Sequence, residues 1–122
     1  MTPETQKTVL AVLDDLFFQV KIADAAKRAA LQLVVVKTEE ALSRKLEENP
    51  VAVLLDLNCR SIDPIQLVSS LKAGPHSEVP VIAYVSHVQA ELIKQAQQAG
   101  CDSVMARSAF SANLPQILLR YT

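Results

Sequence analysis

Apolar residues in this chain fall into two patterns that alternate along its length. Short unbroken runs, Val9 to Leu13, Val51 to Leu55 and Val79 to Val85 (with Pro80 near its start), are each bounded by polar or turn residues. Apolar runs without polar alternation suit strands buried on both faces of a parallel sheet. Leu33 to Val36 is a fourth, β-branched run, and Ser103 to Ala106 is a weaker fifth.

Stretches with a helical period lie between these runs. Leu16, Val20, Ala23, Ala26, Lys27 and Ala30 place a mostly apolar stripe on one face of a first helix. Thr38 followed by Glu39 and Glu40 reads as a cap with an acidic first turn, which suits the helix dipole. That second helix runs to about Glu48 and is expected to bury Ala41, Leu42 and Leu46. Asp63 and Pro64 open a third, since Asp caps and Pro fits the first helical position. Its core positions are Leu67, Val68 and Leu71, and Gly74-Pro75 ends it. A fourth spans Val88 to Ala99, packs Leu92, Ile93 and Ala96, and stops at Gly100. A last one, about Asn113 to Tyr121, contributes Leu114, Ile117 and Leu118.

Strand and helix thus alternate five times, which implies a parallel sheet covered on both faces. Right-handed crossovers most simply wind five such units into one doubly wound α/β domain over residues 1–122, with strand order 2-1-3-4-5. There is no internal repeat and no low-complexity segment.

Composition narrows the function. Half of the 122 residues are hydrophobic, so a substantial core can form. Twelve basic residues against 13 acidic ones give a net charge of -1, which argues against a nucleic-acid binder or a basic membrane-binding surface. Met1 to Thr8 has no apolar segment of the signal-peptide type, and no apolar run is long enough to span a bilayer. Cys59 and Cys101 have neither metal-ligand spacing nor disulfide density, so a soluble, reduced, cytoplasmic protein is expected.

Open α/β sheets bind ligands beyond the carboxyl ends of their strands. Here those ends carry Asp14-Asp15, Asp56 with Asn58, Ser86 and Arg107. Three carboxylates resist sharing one crevice unless a cation sits among them, and hard oxygen ligands suit Mg²⁺. Such a site can hold a phosphoryl group while one carboxylate acts as nucleophile. Each residue also has a simpler role open to it. Asp14 or Asp15 can cap the first helix, Asp56 can be a turn residue, and Ser86 with Gln89 can form a capping box. Arg107 can be a solvated surface charge. His76 and His87 lie in polar surroundings and suggest no role; Cys59 beside the site reads as incidental, although a thiol there can be exposed.

Taken together, these residues resemble the receiver domains of two-component response regulators, from about Thr8 to Tyr121. The matching pieces are the acidic pair in VLAVLDD, VAVLLDLN with Asp56 and Asn58, Asp63, PVIAYVS ending in Ser86, and GCDSVMAR. The resemblance implies a flavodoxin-like (βα)5 fold with Asp56 as phosphoacceptor. It implies Mg²⁺ held by Asp14, Asp15, Asp56 and the backbone carbonyl of Asn58, and Ser86 at the hydroxyl position that bonds the phosphoryl oxygen. Arg107 stands where the family carries lysine, and it brings a longer planar fork. Ser108 replaces the proline that follows, Val104 takes the aromatic switching position, and Arg60 and Pro64 replace the usual Pro and Gly of the loop after Asp56. The second-strand loop is about two residues short of the common pattern, which brings Asp14 and Asp15 into register with the pair.

The resemblance implies a non-enzymatic signalling domain, phosphorylated on Asp56 by a histidine kinase or phosphotransfer protein and read by a protein partner. The fourth and fifth helices would form the partner or homodimer surface. The alternative is a pseudo-receiver that binds or dimerises without phosphorylation, which Arg107, Ser108 and Val104 favour. A metal-assisted phosphatase is a third class, but no dedicated acid/base or lid is evident.

Overall fold

The protein was analysed as a computed structural model that describes residues 6–86 and 89–122. Five strands, β1 (Thr8–Val12), β2 (Gln32–Val35), β3 (Ala52–Asp56), β4 (Val81–Val85) and β5 (Ser103–Ala106), alternate with five helices. These are α1 (Leu16–Arg28), α2 (Glu39–Leu46), α3 (Pro64–Ala73), α4 (Ala90–Ala99) and α5 (Arg107–Leu119). All four strand pairings are parallel, and the sheet order is β2-β1-β3-β4-β5, as the alternation of patterns implied.

The unbroken apolar runs are explained by two cores. Val9, Ala11, Leu54, Ile82 and Tyr84 face α1 and α5, whereas Leu10, Val12, Val53, Leu55, Val81 and Val85 face α2, α3 and α4. With alternate side chains going to opposite, equally covered faces, no buried position on the three central strands is polar, and only their ends carry Thr8 and Asp56. Edge strands β2 and β5 are only partly buried, which is why their signals were weaker.

Caps fall largely where the sequence placed them. Thr38 Oγ1 accepts from the Ala41 amide at 3.0 Å and Asp63 Oδ1 from the Gln66 amide at 3.1 Å. Gly100 ends α4 in the left-handed region (φ 112°). The expected opening residue of α4, Val88, lies outside the described residues, as do His87 and positions 1–5. The cap of α4 is Gln89, and the expected Ser86–Gln89 capping box is not its cap.

Two helices differ from expectation. On α1 the stripe through Leu16 and Val20 stands in solvent, and the buried residues are Phe18, Ile22 and Ala26. Both faces of α1 are apolar, and the phase is decided by aromatic burial. Phe18 packs 5.0 Å from the Tyr84 ring and 6.0 Å from that of Phe110, and aromatic side chains contribute the largest areas. α5 starts at Arg107, six residues before the expected Asn113, because fully buried Phe110 anchors its first turn. Pro115 sits inside the helix and, having no N–H, leaves the Ser111 carbonyl without its intrahelical donor. No helix of the described residues is long and apolar enough to cross a membrane.

Phe110, stacked on Tyr84 at 4.6 Å, joins α5 to the sheet. Phe110→Ala is expected to lower stability by about 3–5 kcal/mol in urea unfolding, as deletion of a fully buried aromatic does.

Candidate functional site

The carboxyl ends of β1, β3, β4 and β5 open on one crevice. Asp56 is the last residue of β3 and is registered opposite Tyr84, while Val12 is registered opposite Leu55. The Asp56 carboxylate is half-buried, and its Oδ1 accepts from the Asn58 amide at 2.8 Å, which closes a tight turn. Burial pushes the Asp56 carboxyl above its ordinary value. The Asn58 N–H and Arg107 oppose that shift, and the charges of Asp14 and Asp15 reinforce it.

The neighbouring acids diverge from each other. Leu13, buried in the α1–α5 core, follows β1, so the pair begins only beyond the strand. Asp14 turns toward the loop between β3 and α3. Its Oδ2 accepts from the amides of Arg60 (2.7 Å) and Ser61 (3.3 Å), and its Oδ1 from the Ser61 hydroxyl (2.7 Å). Asp15 turns the other way and caps α1, with Oδ1 accepting from the Phe18 amide at 3.1 Å. Its Oδ2 takes Arg107 Nη2 at 2.8 Å. The Arg60 amide, with the Ser61 hydroxyl, holds Asp14 below the usual carboxylate range, and the Phe18 amide with Arg107 does the same for Asp15.

Arg107 opens α5 directly after β5. Its guanidinium lies 4.3 Å over the Phe18 ring, so one cation is held by a carboxylate and an aromatic face together. Ser86 lies one residue beyond β4 and is exposed; its backbone amide donates to Asn58 Oδ1 at 2.8 Å. The Asn58 side chain also donates to Gln89 Oε1 at 2.8 Å, tying the end of β3 to the start of α4.

The sequence points to Asn58 for its carbonyl and to Gln89 only for a capping box, and the side-chain bridge between them is not legible there. Nor do its local patterns single out Lys37, whose ammonium donates to the Leu13 carbonyl at 2.7 Å and lowers the Asp14 carboxyl. The strand-end rule, applied to β2, leads to Lys37 at once. Cys59 is buried rather than exposed; its thiol bonds the Ile62 carbonyl and burial pushes it up to about 11.

A divalent cation was expected between Asp14, Asp15, Asp56 and the Asn58 carbonyl. As arranged, these residues are not gathered around one point. All four carboxylate oxygens of Asp14 and Asp15 already face protein donors, one of them a full cation. Among the described residues no group of three or more His, Cys, Asp and Glu is gathered as a metal site. A hard cation needs several oxygens converging in a near-octahedral set. What this crevice offers instead is internal neutralisation, with Arg107 and Lys37 offsetting Asp15 and Asp14 beside a half-buried Asp56.

No family model matches the chain, and no curated protein matches it. Solved structures do. Chemotaxis response regulator CheY4 of Vibrio cholerae superposes with a TM-score of 0.80 at 16% identity, covering 97% of this chain and 100% of that one. The receiver domain of sensor histidine kinase PA1611 from Pseudomonas aeruginosa, with magnesium coordinated in its active-site cleft, gives 0.79 at 22%, covering 96% and 98%. The phosphorylated cyanobacterial phytochrome response regulator RcpA gives 0.77 at 20%, covering 95% and 91%. The fold of this chain is therefore the response-regulator receiver fold over its described residues.

Asp56 carries a testable sign. Its folded pKa is raised, so the folded state holds the proton more tightly and the ionised carboxylate opposes folding at neutral pH. Asp56→Asn, which keeps the acceptor for the Asn58 amide, is expected to raise the melting temperature at neutral pH. The gain should shrink as pH falls through the raised folded value. Asp14 and Asp15 act in the opposite sense, their contribution being lost as pH falls through their depressed values. Melting curves of wild type and variant across the acid range check this; a variant less stable at neutral pH contradicts it.

Proposed function

We propose that this chain is a receiver-type signalling module that acts by protein contact, with its acidic crevice neutralised from within, and that it does not depend on phosphorylation. The observation carrying this reading is the engagement of every oxygen of Asp14 and Asp15 by loop amides, the Ser61 hydroxyl, the α1 cap and Arg107. A phosphoryl group adds nearly two negative charges. A crevice that takes one up needs a cation with charge to spare, and here Arg107 is committed to Asp15.

The output is a face offered to a protein partner, and no turnover is proposed. By analogy with the fold, that face is α4, β5 and α5; the Asn58–Gln89 bridge holds the start of α4 to the crevice. A cytoplasmic setting without nucleic acid or membrane as partner belongs to the same reading, supported by the near-balanced charge.

One observation favours a second reading, a phosphoacceptor. Asp56 stands half-buried at the end of β3, and of its two oxygens Oδ1 alone has a hydrogen-bond donor among the described residues. In that reading a histidine kinase or phosphotransfer protein supplies the phosphoryl group to Asp56, and Ser86 receives its oxygen. Asp14, Asp15, Asp56 and the Asn58 carbonyl then hold Mg²⁺, which requires Arg107 to leave Asp15 and the Asp14 and Asp15 carboxylates to turn toward Asp56.

Intact mass after incubation with acetyl phosphate and Mg²⁺ separates the two. Under conditions that modify a standard receiver, the wild-type mass is expected to stay unchanged. An adduct of about 80 Da, the mass of a phosphoryl group on a side chain, present in wild type and absent in Asp56→Asn, would reverse their order.

A further inference from the structure

α4 is lightly held by its own side chains. Ala96 is its one buried residue among those described, Leu92 and Ile93 are only partly covered, and Gln89 supplies no side-chain cap. A helix with so little burial takes its place from the contacts at its ends. At its start that contact is the Asn58–Gln89 bridge. At its end it is Lys72.

Lys72 lies in the last turn of α3, at the end of the sheet opposite the crevice, and its side chain is only 17% exposed. Its ammonium donates to the carbonyls of Ser77 (3.0 Å) and Val79 (2.9 Å) and to Asp102 Oδ2 (2.8 Å). An ammonium carries three donors, and here there is an acceptor for each. Two of the acceptors belong to the connection between α3 and β4, and the third to the residue before β5. The same Asp102 oxygen accepts from the Val81 amide at 2.8 Å, and the Asp102 amide donates to the Val81 carbonyl at 3.0 Å. One carboxylate thus joins Lys72 to the first residue of β4.

The aliphatic stem of Lys72 is engaged as well. A Cβ placed on Gly100 would lie 2.9 Å from Lys72 Cγ and 3.4 Å from its Cβ, so the end of α4 rests directly on the stem. Gly100 is therefore required twice, by its left-handed backbone and by the stem beneath it. The charge fixes the stem, and the stem fixes where α4 ends. Gly100 is two residues from Asp102, so Lys72 holds the turn between α4 and β5 through its ammonium on one side and its stem on the other.

We propose that Lys72 is a latch that seats the C-terminal end of α4, so that removing its charge frees α4 while the sheet stays folded. α4 belongs to the face assigned above to a protein partner, but the latch is a property of the chain alone and does not rest on that reading.

Amide hydrogen exchange of the full chain at neutral pH tests it. Lys72→Met keeps an unbranched stem beneath Gly100 and removes the ammonium. The amides of Lys94 to Gly100 are expected to exchange about tenfold faster or more, the effect of losing one charged hydrogen bond, over and above any change shared with Leu10 in β1 and Leu54 in β3. Should Lys72→Met fail to fold, Asp102→Asn takes its place with the same expectation, since it keeps an acceptor for the Val81 amide and removes the charge that faces Lys72. Exchange in α4 that is unchanged, or that rises only in step with Leu10 and Leu54, overturns the proposal.

Discussion

Carboxylates gathered at the ends of parallel strands repel one another, and a sheet of this topology brings Asp14, Asp15 and Asp56 toward one crevice whatever their function. Something must offset their charge. In this protein the Arg107 guanidinium is placed between the Asp15 carboxylate and the Phe18 ring, and the arrangement around it follows from that position. Asp15 is held as both cap and ion-pair partner, and the Phe18 ring, buried against Tyr84 and Phe110, gives the guanidinium its second contact. The aromatic cluster of Phe18, Tyr84 and Phe110 then links the crevice to the core beneath it. The exposure of Leu16, Phe17 and Val20 is the other side of the same choice of helix phase.

The rest of the crevice is organised by hydrogen bonds that join neighbouring loops. Asp14 collects the amides of the β3–α3 loop, Lys37 closes onto the Leu13 carbonyl from β2, and Asn58 spans to Ser86 and Gln89. The two acids that follow β1 are answered by the protein's own donors and cations. That distinguishes this crevice from one built around a metal, although the fold around it is shared with receiver domains that bind magnesium or carry phosphate.

Much of the architecture was legible from the chain, for a physical reason. Strands covered on both faces must be apolar without interruption, so β1, β3 and β4 announce themselves, and Thr38, Asp63 and Gly100 mark helix ends through local chemistry alone. The convergence of Asp14, Asp15, Asp56, Ser86 and Arg107 followed from their place at strand ends. The directions their side chains take did not. Whether Asp14 turns to a metal or to the Arg60–Ser61 amides is decided by long-range contacts that no local pattern encodes. The phase of α1 was hidden because both of its faces are apolar, and only the position of Tyr84 and Phe110 selects between them. The early start of α5 was obscured by a first turn of Arg, Ser, Ala and Phe and by Pro115 within the helix.

Calorimetric titration of Mg²⁺ into wild type and Arg107→Ala tests internal neutralisation most directly. If Arg107 is the counter-cation of the crevice, wild type takes up no Mg²⁺ in the millimolar range. Arg107→Ala, with the Asp15 oxygen released, gains a site that Asp56→Asn removes again. Wild type that binds Mg²⁺ as tightly as the variant would contradict it.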